Sequence, residues 1–247
     1  MTHDMKAETV TIRGDGGDEI EAYLAQPVGG DGPFGGVVVI HHMPGYDRST
    51  KEVARRFAAE GYIAVMPNLY HREAPGAAPD DAAAAARALG GVPDQRLVGD
   101  VRGAMSHIKA MPNSNGKVAT LGHCSGGRQS FLCAVSLPLD AAVVCYGGAI
   151  VKPPPADFAV KMVSLLERSK DLQCPLLGLF GDEDKFPTPE EVATLSAELQ
   201  EHGKDFEFRS YPGAGHAFFD VDRPSYRVDA ALDGYKQIRA FFARTIA

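Results

Sequence analysis

The sequence predicts an α/β protein: a single domain over residues 1–247, with a mostly parallel central sheet, an antiparallel hairpin at its N-terminal side, and helices on both faces. Three observations lead there. Short apolar runs rich in β-branched residues alternate with stretches of helical period, which implies parallel strands joined by helical crossovers. Gly36–Ile40 is apolar without alternation, as a strand buried on both faces should be. The first segments instead alternate in polarity about a glycine-rich turn, as an antiparallel pair would.

Taken in order, Glu8–Ile12 and Ile20–Leu24 flank the Gly14–Gly17 turn and form the hairpin. After the Gly36–Ile40 strand, Ser49-Thr50-Lys51-Glu52 has the spacing of a capping box. Val53, Phe57 and Ala58 then give the helix an apolar face, and Gly61 can end it. Tyr62–Met66 is a strand closed by Pro67. Residues 70–93 make a long connection containing an Ala-rich helix at Asp80–Leu89, and are expected to cover the site. Leu97, Val101, Ala104 and Ile108 set a helix over Asp94–Met111. Strands follow at Lys117–Leu121, Ala141–Tyr146, Leu176–Phe180 and Phe206–Tyr211, with helices at Ser125–Ser136 and Pro189–His202. The last helix, Tyr226–Arg244, offers Val228, Leu232, Tyr235, Ile238 and Phe242 as its apolar face.

Composition excludes several function classes. The 247 residues are 45% hydrophobic and 23% charged, with a net charge of −7 and no basic stripe, which argues against nucleic acid or an anionic membrane as partner. The partner expected is a small molecule. No apolar leader opens the chain, and the four cysteines make neither C-x-x-C pairs nor a dense framework, so a reducing, cytoplasmic setting is expected. Composition leaves the oligomeric state open.

Ligands of parallel sheets bind beyond the carboxyl ends of the strands, and the chemistry is concentrated there. Gly122-His123-Cys124-Ser125-Gly126-Gly127 follows a strand and opens a helix, the context of a nucleophile elbow. The glycines fix the frame: Cys124 has glycine two residues away on either side, whereas Ser125 would need one at His123. Cys124 also stands at a helix N-terminus, where the dipole favours a thiolate. Cys133, Cys145 and Cys174 are expected in the core. A base and its orienting carboxylate come later, in the chain order nucleophile, acid, histidine. Gly181–Pro187 offers Asp182 or Asp184, and the glycine-rich loop after Tyr211 offers His216. The amides of Ser125 and Met43 are the expected oxyanion donors; Pro44 has no N–H to give.

These motifs resemble the dienelactone hydrolase family, carboxymethylenebutenolidase-like enzymes of the α/β-hydrolase fold, over about Lys6–Phe242. The family's G-x-C-x-G falls on Gly122–Gly126, its G-x-x-D-x-F on Gly181, Asp184 and Phe186, and its A-G-H-x-F on Ala214, Gly215, His216 and Phe218. The resemblance thus selects Asp184 and implies a catalytic Cys124, His216 and Asp184. It also implies substrate contacts from Arg72, in the segment Pro67, Leu69, Tyr70, Arg72, and from Tyr146, His42 and Phe218. His42 stands where the family has a glutamate beside the thiol, and Asp220 where it has a second carboxylate-binding arginine. A more thiolate-like cysteine and a more neutral or bulkier lactone or ester are therefore expected. The activity expected is a cysteine hydrolase of lactones or activated esters working through an acyl-enzyme, without cofactor or metal. Two other readings compete. A metal-dependent hydrolase would use His41, His42 and His216, but no metal-ligand spacing supports it. A non-catalytic binding module on the same fold would leave the triad idle.

Overall fold

The computed structural model describes residues 3–30 and 32–247. Eight strands form one sheet in the order β1-β2-β4-β3-β5-β6-β7-β8. Strands β1 (Met5–Arg13) and β2 (Glu19–Pro27) are the antiparallel hairpin, and β2 pairs antiparallel with β4 (Ile63–Pro67). From there every pairing is parallel, through β3 (Phe34–Ile40), β5 (Ser114–His123), β6 (Ala141–Cys145), β7 (Leu176–Gly181) and β8 (Phe206–Tyr211). Val37–Ile40 and all of β4 are buried, so these strands read as unbroken apolar runs because both of their faces are covered.

Helices α2 (Pro79–Ala88), α3 (Asp94–Lys109), α4 (Ser125–Ala134) and α5 (Pro189–Glu201) pack on one face. Helices α1 (Arg48–Ala59) and α6 (Val228–Thr245) pack on the other. On that second face Phe57 meets Phe242 edge to face at 5.4 Å, and both are fully buried. Each such ring contributes about 1.5–3 kcal/mol by leaving water. Among the described residues, no helix is long and apolar enough to cross a membrane.

Two local expectations are corrected. The cap of α1 is Asp47, not Ser49: its Oδ1 accepts from the Thr50 amide at 2.8 Å and from the Thr50 hydroxyl at 2.9 Å. The helix stops as expected, with Gly61 at φ +95°. A complete capping box occurs instead on α5, between Thr188 and Glu191. The apolar face of α6 is also rotated from the one the sequence suggested. Val228 and Leu232 are 53% and 60% exposed, while Ala230, Ala231, Gly234, Ile238, Phe241 and Phe242 face the sheet. The reason is steric. A Cβ on Gly234 would come within 2.3 Å of the Phe219 ring, so the small residues lie where the helix approaches most closely.

The chain leaves β3 toward β4 on one side and returns to β5 on the other, so the topological switch lies between β3 and β5. Ile40 pairs with Gly122 and Gly122 with Val144, which brings the ends of β3, β5 and β6 level with one another. A crevice at that point is where a sheet of this kind binds its ligand.

Candidate active site

Cys124 joins β5 directly to α4 with φ 55° and ψ −123°, a backbone conformation side-chain-bearing residues rarely adopt. Its neighbours permit it. A Cβ on Gly122 would lie 2.0 Å from the Gly126 carbonyl oxygen, and one on Gly126 would lie 2.3 Å from that of Ile40. The turn is held by the Cys124 amide donating to Cys145 O at 3.0 Å and by Cys124 O accepting from Gly127 N at 2.9 Å. The other three cysteines are buried and unpaired. Burial pushes their thiols up, that of Cys174 to about 12.

His216 and Asp184 come from the loops after β8 and β7. His216 Nδ1 lies 3.0 Å from Asp184 Oδ2 and 3.3 Å from Oδ1. Asp184 is 3% exposed, and its Oδ1 also accepts from the Phe186 amide at 2.9 Å. Burial alone would lower the His216 imidazole, but the Asp184 carboxylate and the Cys124 thiol beside it prevail and carry it up to about 10. The two loops are tied together: Glu183 N donates to Ala214 O at 3.0 Å, and Gly213 N donates to Asp182 Oδ1 at 2.8 Å. Asp182 thus braces the histidine loop, and Asp184 is the carboxylate that meets His216.

Cys124, His216 and Asp184 open on a cleft of about 560 Å³. Met43, Ser125, His42 and Tyr146 border it as well. Neither the Met43 nor the Ser125 amide has an acceptor among the described residues. Tyr146, at φ 39° after β6, sets its ring against His216 at a centroid distance of 5.1 Å. His42 Nε2 lies 2.5 Å from Asp47 Oδ2. His41 is sealed, with Nδ1 donating to His42 O at 2.9 Å and Nε2 accepting from Leu69 N at 3.2 Å. Burial lowers it to about 4, so it is neutral with both ring nitrogens engaged, and it offers no metal ligand.

Three expectations are corrected by position. Arg72 does not border the cleft. Its guanidinium binds Asp100 at 2.9 and 3.0 Å and Asp18 at 2.8 Å, because Asp100 is wholly buried and needs a cation. Phe218 is fully buried, its ring 4.7 Å from that of Phe219 and 5.3 Å from that of Tyr146; Ala217 is the neighbour that reaches the cleft. Segment 70–93 does not border the cleft either, since Ala82, Ala83 and Ala86 turn α2 into the core.

The segment between β6 and β7 supplies the cleft wall instead, through Phe158 and Met162. Nothing periodic in its sequence marks it. Arg223 also borders the cleft, its Nε 3.5 Å from Asp220 Oδ2. Asp47 had a legible signal, a helix-capping carboxylate three residues before Thr50.

The fold and the carboxyl-end crevice define an α/β-hydrolase-type enzyme. Residues 20–246 match the profile of the dienelactone hydrolase family, and the chain belongs to that family. It is 32% identical to a candidate carboxymethylenebutenolidase of Escherichia coli (strain K12), over 92% of this chain and 83% of that one. It is equally identical to one of Yersinia pestis, over 99% and 90%. The crystal structure of a candidate dienelactone hydrolase from Klebsiella pneumoniae superposes with a TM-score of 0.85 at 29% identity, covering 98% of this chain and 99% of the other. The protein is a hydrolase of the lactone or ester type.

Proposed function

We propose that Cys124 is the nucleophile of this hydrolase, with His216 as its acid–base partner and Asp184 as the group that orients His216. The observation that carries the reading is the positive-φ elbow at Cys124 beside a histidine whose far nitrogen is held by a buried carboxylate. Asp184 fixes Nδ1 as the protonated nitrogen and leaves Nε2 for the thiol. The Cys124 sulfur attacks the substrate carbonyl carbon, and the amides of Met43 and Ser125 receive the oxyanion. His216 gives its proton to the departing oxygen as the C–O bond breaks, and a thioester on Cys124 remains for water to cleave.

Leaving-group chemistry narrows the substrate. A tetrahedral thiol adduct expels the sulfur unless the other group leaves at least as well, so enol-lactones, aryl esters and thioesters are favoured over amides. The cleft narrows it further. Met43, Pro44, Phe158, Met162, Phe186 and Ala217 make its wall largely apolar. Arg72 is engaged elsewhere, Arg223 is partly neutralised by Asp220, and Lys185 shares the lining with Glu183 and Asp184. These features support a bulky, weakly charged lactone or ester. The test is a panel of enol-lactones and aryl esters, with Cys124→Ala as control. Cys124→Ala should lose at least about a thousandfold in kcat/KM. Full activity in that variant would overturn the reading.

A further inference from the structure

The loop after β3 brings a second histidine–carboxylate pair to the cleft that holds Cys124. Asp47 is fixed twice over, Oδ1 by Thr50 and Oδ2 by His42. Burial alone would raise its carboxyl, but the bonds from His42 and Thr50 bring it down to about 2, so it is an ionised acceptor. Facing it, Nε2 of His42 carries the hydrogen. In the neutral ring this leaves Nδ1 as the lone-pair nitrogen. Nδ1 has no protein partner among the described residues, yet it is not among the sealed polar atoms, so it remains open to an incoming molecule.

His42 also stands between two spaces. Adjoining the cleft is a second, solvent-open pocket of about 270 Å³ that shares His42, Tyr146 and Asp220 with it. Ser49, Thr50 and His123 add polar groups to its walls, which makes it suited to hold water. His216 meets Cys124 from the β7–β8 side of the sheet, whereas His42 borders the same cleft from the end of β3. A water arriving past His42 need not displace His216.

We propose that His42 is a second acid–base residue of this site, the base that activates the water cleaving the Cys124 thioester. The step presupposes the thioester proposed above. The water oxygen bonds to the acyl carbon while one of its protons passes to His42 Nδ1. The tetrahedral adduct collapses with cleavage of the C–S bond, giving a carboxylic acid and the Cys124 thiolate. The acid proton returns to His216, which gave its own to the leaving group, and the proton on His42 goes to solvent. Asp47 holds the tautomer and stabilises the transient imidazolium.

The two half-reactions can be timed separately with p-nitrophenyl acetate under enzyme excess. Nitrophenolate release times acylation, and mass spectrometry of quenched samples times loss of the acetyl group from Cys124. His42→Gln should leave acylation within about twofold of wild type and slow acetyl loss by about 100-fold. Asp47→Asn keeps a competent helix cap but turns an amide donor toward Nε2, which imposes the wrong tautomer, and should slow acetyl loss about as much, again sparing acylation. Added imidazole should restore acetyl loss in His42→Ala. Acetyl loss at the wild-type rate in His42→Gln would overturn the proposal. So would equal slowing of both steps without imidazole rescue, which would make His42 a loop support. If no acetyl-Cys124 forms and Cys124→Ala remains active, the cysteine-nucleophile reading falls, and the proposal with it.

Discussion

Arg128, on the helix that begins beside Cys124, donates to the carbonyl oxygen of Val163 at 2.9 Å, in the segment that walls the cleft. The same side chain is 2% exposed, forms a two-pronged bond to Asp94 at 2.9 and 3.0 Å, and reaches Ala149 O at 3.3 Å. One guanidinium thus links the nucleophile helix, the start of α3 and both ends of the segment carrying Phe158 and Met162.

Replacing Arg128 should affect stability and cleft shape together. Arg128→Met leaves Asp94 and two carbonyls without their donor, and should lower unfolding free energy by about 3 kcal/mol. With the wall released, KM for a bulky aryl ester should rise more than kcat falls. Urea unfolding and steady-state kinetics on one bulky and one small ester check both halves.

The raised His216 has a pH signature. Its stabilising contribution is fully present below its ordinary value of 6.5 and is lost as pH rises toward about 10. Asp184→Asn should bring that alkaline loss to lower pH, and Cys124→Ala should do so in part. Asp182→Asn should not, because Asp182 braces Gly213. Nuclear magnetic resonance titration of the His216 ring, with urea midpoints between about pH 6 and pH 10, gives the comparison.

Glycine substitutions around the elbow should divide sharply. Gly122→Ala and Gly126→Ala force a Cβ to within 2.0 and 2.3 Å of a carbonyl oxygen, and should abolish activity while lowering stability by about 1–3 kcal/mol or more. Gly215→Ala, beside His216, meets nothing closer than 3.9 Å and should fold and turn over normally. Thermal unfolding and an esterase assay on the three variants distinguish them.

Arg72→Met should behave as a structural variant. It strands the wholly buried Asp100 carboxylate and should lower stability by about 3–5 kcal/mol. In the fraction that folds, KM for anionic and neutral esters should move alike. A selective rise in KM for the anionic substrate would place Arg72 in substrate binding after all.

Order and type of the strands and helices were legible because each strand carries a local signal, as did the strand-end positions of Cys124, Asp184 and His216. The glycine frame around Cys124 is likewise a local pattern with one steric meaning. What stayed hidden depends on contacts distant in sequence. Arg72 meets a partner 28 residues away, and Arg128 one 35 residues away, so neither role can be read from its neighbours. Phe158 and Met162 sit in an irregular segment whose course is set by Arg128. The rotated face of α6 was missed because Gly234 and the alanines signal close approach, a tertiary fact that counting large apolar residues overlooks.

The three sealed cysteines have a practical consequence. In the folded chain only Cys124 is even partly accessible, while Cys133, Cys145 and Cys174 are buried. A coloured disulfide reagent should therefore count one sulfur per native molecule and four per unfolded one. The chain carries its own folding gauge, in which the first equivalent reports the intact cleft and the following three report the opening of the interior.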